Sequence, residues 1–234
     1  MPVRRYDQFC GLARALELVG ERWTLLVVRE LLDGPKRYGE LAQVLAPIAT
    51  DVLAGRLREL EAAGLVTREA GRTYVLTADG AALAPTLDAL ARWGLRRLER
   101  RPADVVNPRW LGLAVRALLR TDRPGVDIVV RLEVPEGSAT LHITEATVTD
   151  ITDADDGPDS GTGGPDCGTG GPDGSTGGGA GRRPDVVLAG EAEVLAAALD
   201  PARRTALVAS GELTVTGDAD AVRSLAALFR GDER

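Results

Sequence analysis

The sequence predicts an α+β protein built from two domains: a winged helix-turn-helix at residues 1–101 and a second α+β domain at 108–231. Three observations predict it. Short segments of helical apolar spacing, each ended by Gly or Pro, fill residues 9–64 and lead into two short β-type runs around Ala70-Gly71. Beyond residue 126 the apolar spacing changes to strict alternation. The charge also divides: residues 1–101 carry 16 Lys or Arg against 13 Asp or Glu, and residues 102–234 carry 12 against 22, so a chain of net charge −7 has a basic front and an acidic rear. At 234 residues the chain can close two cores.

Phe9, Leu12, Ala13, Leu16 and Val19 form one helical stripe, which Gly20 ends. Residues 23–32 make a second apolar helix, closed by Gly34-Pro35. Residues 38–45 make a short third, and Pro47 turns the chain into a fourth. In that fourth helix Leu53, Leu57 and Leu60 share one face, while Asp51, Gly55 and Arg58 fall on the other. Gly64 stops it. Residues 66–69 and 73–76 read as strands, with Ala70-Gly71 as a tight hairpin between them and Arg68 and Arg72 beside its tip. Thr77 caps a last helix expected to run to Arg101, kinked at Pro85.

A helix that enters a major groove needs these two unlike faces, one for its own domain and one of small, polar or cationic groups. The matching residues are Cys10, the run from Gly20 through Leu26, the run from Leu31 through Leu41, Leu53, the run from Arg56 through Leu60, Gly64-Leu65-Val66, the run from Tyr74 through Thr77, Gly80 and Trp93-Gly94. On these the chain resembles the HxlR-type branch of the MarR-like winged-helix transcription regulators. The resemblance implies a homodimer on a double-stranded DNA operator, with the first and last helices forming the dimer contact. It implies DNA contacts from Arg37, Tyr38, Thr50, Asp51, Ala54, Gly55, Arg56 and Arg58, with Arg68 and Arg72 reaching from the wing. Arg56 and Arg58 have a plainer reading as a solvated face beside Glu59 and Glu61, as Arg68 and Arg72 have on any hairpin. The chain departs from the family at Ala49, where a Ser cap is usual, so Thr50 is expected to cap instead. Asp51 suits a helix N-terminus but repels phosphate, and the wing is short.

In the second domain, residues 110–119 read as a helix and 127–134 alternate cleanly through Ile128, Val130, Leu132 and Val134. Pro135 to Ser138 is a turn. Strands follow at 140–144, 146–151, 185–188 and 212–216, and helices at 191–199, 201–209 and 219–229. The segments 184–190, 195–199, 207–218 and 221–225 resemble the sterol carrier protein fold, which implies an apolar cleft for a small-molecule effector and carries no catalytic residue. Residues 153–183 are a Gly-, Pro- and Asp-rich insertion in which 160–166 recurs almost unchanged at 167–173, a composition that predicts disorder. Pro102 and Asn107-Pro108 mark the interdomain joint.

No phosphate-cradling Gly loop, paired-His motif or nucleophile elbow occurs, so no enzyme and no cofactor are expected. The single histidine, His142, sits in an alternating strand, reads as structural and makes a metal site unexpected. Two cysteines suit a reducing cytoplasm, and no apolar run reaches the length of a membrane span. Cys10, one turn before Arg14 and near Arg4 and Arg5, is a candidate thiol sensor, its plain alternative being a small buried hydrophobe. The expectation is therefore a ligand-responsive DNA-binding regulator. Its alternatives are a thiol-switch regulator working through Cys10, or a small-molecule carrier that has lost DNA binding.

Overall fold

The structure, a computed structural model, describes residues 5–69, 72–119, 125–145, 147–153 and 182–229. They pack as two units, Met1–Ala89 and Leu90–Arg234. The joint expected at Pro102 and Asn107-Pro108 falls in the stretch between a helix that ends at Leu95 and one that begins at Pro108, whereas this division marks which core the side chains enter. Leu83 and Leu87 pack on the first core and Leu95 on the second.

The first unit holds α1 (Gly11–Val19), α2 (Thr24–Leu32), β1 (Lys36–Arg37), α3 (Tyr38–Val44), α4 (Thr50–Ala62), β2 (Val66–Glu69), β3 (Thr73–Leu76), α5 (Ala78–Ala81) and the start of α6 (Ala84–Leu95). Its core joins Val27, Val28 and Leu31 of α2 to Leu41 of α3 and to Leu53, Leu57 and Leu60 of α4, all buried. Leu65, Val66 and Tyr74 close it from the wing. The strands order β1-β3-β2, antiparallel throughout, with Arg37 opposite Thr73 and Arg68 opposite Tyr74. β1 has only two residues and no alternation, so its pairing with β3 leaves no mark in the sequence.

Two expectations are corrected here. The long kinked helix to Arg101 is two helices, α5 and α6, and α6 ends at Leu95. Pro85 lies in the first turn of α6, where the missing N–H costs no intrahelical bond, so it starts a helix instead of bending one. The tip residues Ala70 and Gly71 lie outside the described residues.

Thr77 ties the wing to α5. Its Oγ1 accepts from Gly80 N at 3.1 Å and donates to Gly64 O at 2.7 Å, while Gly64 takes the left-handed φ of +71° that ends α4. A Cβ on Gly80 would lie 2.0 Å from Leu65 O and 3.1 Å from Leu76 Cδ2. Relief would require the backbone to move, so Gly80→Ala is expected to destabilise the first unit by about 1–3 kcal/mol. A fall in the midpoint of urea denaturation with an unchanged slope would show it.

The second unit begins with the end of α6 and continues through α7 (Pro108–Leu118), β4 (Asp127–Val134), β5 (Gly137–Thr144), β6 (Thr147–Asp153), β7 (Val186–Ala189), α8 (Ala192–Ala198), α9 (Pro201–Ser210), β8 (Thr214–Gly217) and α10 (Ala219–Leu228). The sheet order is β6-β5-β4-β7-β8, with β4 and β7 parallel and the other pairs antiparallel. Ile128, Val130 and Leu132 of β4 stand opposite Ile143, Leu141 and Ala139 of β5, and all six enter one core with residues of α7, α8 and α10. The turn before β5 is tighter than expected: strand pairing reaches Gly137, so only Pro135 and Glu136 link β4 to β5. Asn107, Asp200 and Asp218 cap α7, α9 and α10 with side-chain oxygens.

Most of the insertion read at 153–183, including Cys167, lies outside the described residues, which stop at Asp153 and resume at Arg182. Where the chain resumes, Arg182 Nη1 lies 2.7 Å from Asp127 Oδ1 and its Nη2 3.1 Å from Asp185 Oδ2. His142 Nε2 lies 2.9 Å from the same Asp127 oxygen, so the histidine joins two strands of the sheet. The His142 hydrogen bond first, and then Arg182, hold the Asp127 carboxyl below the usual carboxylate range. No cluster able to hold a metal ion occurs among the described residues.

Candidate nucleic-acid interface

The candidate interface is built on α4. Leu53, Leu57 and Leu60 bury its inner face, and Asp51 and Arg58 stand exposed on the outer one with Gly55 half-buried between them. Ala49 occupies the N-cap with extended backbone and no side-chain bond, so the expected Thr50 cap is corrected: Thr50 is already helical. An alanine cannot satisfy the first N–H groups of a helix, and those groups with the helix dipole form a seat for an anion. Tyr38 holds this end of α4 from α3, its hydroxyl donating to Thr50 O at 2.7 Å. Tyr38 is half-buried, whereas Arg37 beside it is exposed and fixed through its backbone, paired with β3 and donating from N to the Glu40 carboxylate.

The cations expected at DNA divide into two kinds. Arg58 is exposed and spends its Nε on Ala54 O at 3.1 Å, one turn back on its own helix, which lays the side chain along the outer face. Arg72 is exposed where the wing resumes after the tip, with a left-handed φ of +64°. Arg68 and Arg56 are already engaged. Arg68 Nε lies 2.8 Å from Glu61 Oε1, and its guanidinium sits 4.8 Å from the centre of the Tyr74 ring. Arg56 Nη1 lies 2.7 Å from Glu59 Oε2 and 3.8 Å from Glu21 Oε2. The i,i+3 spacing of Arg56 and Glu59 is the one sequence signal of that engagement.

Gly55 opens onto empty space: apart from the neighbouring backbone of its own helix, nothing lies within 4 Å of where a Cβ would be. Gly55→Ala is therefore expected to raise stability by about 1 kcal/mol, the helix-propensity difference, read as a higher thermal midpoint. If α4 lies close in a groove, the same methyl should weaken DNA binding, separating the two roles of the glycine.

Two features lie away from α4. Phe9, just before α1, and Leu12 and Leu16 on it are solvent-exposed in the single chain, while Ala13 and Val19 are buried. In the second unit Leu90 and Trp93 of α6 are exposed, with Arg97 stacked 4.1 Å from the centre of the Trp93 ring. Cys10 is exposed at the N-cap of α1, which removes the buried-hydrophobe reading. The nearby cation Arg14 is committed to Glu17 at 2.7 Å. The Tyr6 backbone N–H and then Arg14 hold the Glu17 carboxyl below its usual range.

Residues 18–102 match the HxlR-like helix-turn-helix family. Among similar proteins, the uncharacterised HTH-type transcriptional regulator YkvN of Bacillus subtilis is 38% identical over 91 residues, spanning 36% of this chain and 77% of its own length. The HTH-type transcriptional regulator YodB of the same organism is 35% identical over 98 residues, spanning 39% of this chain and 86% of its own. The solved structure of quinone-bound YodB covers 38% of this chain and 99% of that chain at 35% identity, with a TM-score of 0.35. The redox regulator HypR in its oxidised form covers 39% of this chain and 100% of that chain at 30% identity, with a TM-score of 0.37.

Proposed function

The chain belongs to the HxlR-like helix-turn-helix family, and from that premise we propose that it is a homodimeric transcription regulator whose α4 and wing grip a two-part DNA operator. The observation that carries this is the outer face of α4: an N-terminus without a side-chain cap, small residues Ala54 and Gly55, and the outward Arg58. The first-turn N–H groups take a phosphate, Thr50 and Arg58 reach the groove, and Arg37 and Arg72 hold the backbone to either side. Asp51 repels phosphate but accepts a hydrogen bond from a cytosine amine, so its place in the first turn favours a base edge. The acidic second domain, with 12 Lys or Arg against 22 Asp or Glu in residues 102–234, belongs away from DNA. Two copies joined through α1 and α6 would present two α4 helices to half-sites about 34 Å apart.

The test is selection by the full chain from a random pool of duplexes, followed by titration of the selected duplex at several salt concentrations and native mass spectrometry. Enrichment of a two-part sequence, bound by two copies, is expected. No enrichment over a protein-free control, with no duplex bound at low salt, would overturn the reading in favour of a small-molecule carrier. For the regulatory input, the sheet-and-helix second domain, with its resemblance to the sterol carrier fold, supports an apolar effector. Such a molecule should appear in the mass spectrum of freshly purified protein and change its affinity for the selected duplex.

A second reading of the input rests on the exposure of Cys10. Under it, hydrogen peroxide lowers the affinity of the native chain for the selected duplex and leaves Cys10→Ser unchanged. Equal responses of the two proteins exclude a thiol switch at this residue.

A further inference from the structure

We infer that Arg56 is a positioning residue: its guanidinium sets the roll of α4 through Glu59 and Glu21 and makes no contact with DNA. The inference rests on the DNA-binding reading of α4 and assigns this cation a different task from Arg58. Residues two apart on a helix are separated by about 200°, so Arg56 and Arg58 cannot both face one groove. Arg58 shares the outer face with Asp51 and Gly55, which places Arg56 on the flank of the buried Leu53, Leu57 and Leu60.

Burial agrees with that placement. The Arg56 side chain is 18% exposed, and its Nε and Nη1 are closed to water without a well-formed hydrogen bond. A phosphate cannot reach atoms that water does not reach. Closing off guanidinium donors is unfavourable, and the compensation at hand is charge: Glu59 Oε2 at 2.7 Å, off the direction a hydrogen bond needs, and Glu21 Oε2 at 3.8 Å. Glu21 belongs to the turn between α1 and α2, beside Trp23, whose φ of +78° is a left-handed conformation rare for a bulky side chain. Arg56 thus links α4 to the turn that Trp23 holds in this conformation between α1 and α2. A change in the link would rotate or tilt the outer face without removing any group from it.

Glu59→Gln separates the two tasks. Were Arg56 a phosphate contact competing with Glu59, removing this carboxylate would free the cation and tighten DNA binding. As a positioning pair, the same substitution weakens binding. With the full chain and the selected duplex, Glu59→Gln and Arg56→Gln are each expected to lower affinity by about two- to fivefold, as half-solvated ion pairs do. The double variant should be no worse than Arg56→Gln, Arg56→Lys should recover most of the loss, and the log-log salt slope should stay at the native value throughout. Tighter binding by Glu59→Gln, or a slope shallower by about 0.9 in Arg56→Gln, would overturn the inference. Amide hydrogen exchange without DNA judges the link independently. Both single variants should speed exchange along α4 by a similar factor, and unchanged exchange would overturn the inference even in a protein that binds no DNA.

Discussion

Arg58→Ala combined with Arg72→Ala is expected to weaken binding to the selected duplex by about 30-fold near 0.15 M salt and to lower the log-log salt slope by about 1.8. Both side chains are exposed, one on the outer face of α4 and the other on the wing, so neither contributes to a core. Each phosphate neutralised by a cation releases condensed counterions, and each lost contact should shallow the slope by about 0.9. The thermal midpoint should therefore remain near the native value while affinity falls. The single variants add detail: loss at Arg72 should be uniform across sequences, as for a backbone contact, whereas loss at Arg58 should also relax preference at one base position if it reaches a base edge. Native affinity and native slope in the double variant would mean that DNA, if bound, lies against another surface.

How far this interface is legible in the sequence depends on whether each feature is periodic. The faces of α4 are legible because Leu53, Leu57 and Leu60 repeat at helical spacing and Gly64 ends the run; the buried set is those three leucines. Thr77 as a cap is legible because its side chain acts within three residues, on Gly80 N. The contacts between elements are not. Tyr38 reaches Thr50, Arg68 reaches Glu61, and Arg56 reaches Glu21, each between separate elements whose mutual placement no local pattern encodes. The Pro85 region had two local solutions, a kinked helix or a fresh start, and the approach of Gly80 to Leu65 O goes with the second.

The second unit repeats the lesson. The alternation of β4 is evident in Ile128, Val130 and Leu132, yet its parallel pairing with β7 joins residues more than fifty positions apart and leaves no trace in either strand. The role of His142 as a strand-to-strand link was legible only as the absence of metal-binding neighbours. The α1 stripe was legible as a stripe, but periodicity does not tell whether an apolar face meets its own core or another copy. In the structure Ala13 and Val19 meet the core and Phe9, Leu12 and Leu16 do not.

That exposed stripe carries the other large expected effect. Leu12→Glu is expected to leave the protein monomeric and to lower affinity for a duplex with both half-sites by about 100-fold or more, the loss of effective concentration when two linked sites become independent. Leu12 is 68% exposed and Leu16 41%, one turn apart on α1, and Phe9, just before the helix, is fully exposed. Burying a large apolar side chain contributes about 1.5–3 kcal/mol, so three of them in water are a substantial driving force for association, repeated on the partner by symmetry. The fold itself should tolerate the charge, because Leu12 is exposed and lies outside the first core, which α1 enters through Val19. Sedimentation should then show one copy where the native chain is expected to show two, with an unchanged circular dichroism spectrum. Affinity for a duplex carrying a single half-site should be the same in both proteins, since α4 and the wing are untouched. A Leu12→Glu protein that stays dimeric and binds the full site at native strength would move the dimer contact elsewhere, and the exposed face of α1 would then need a different partner.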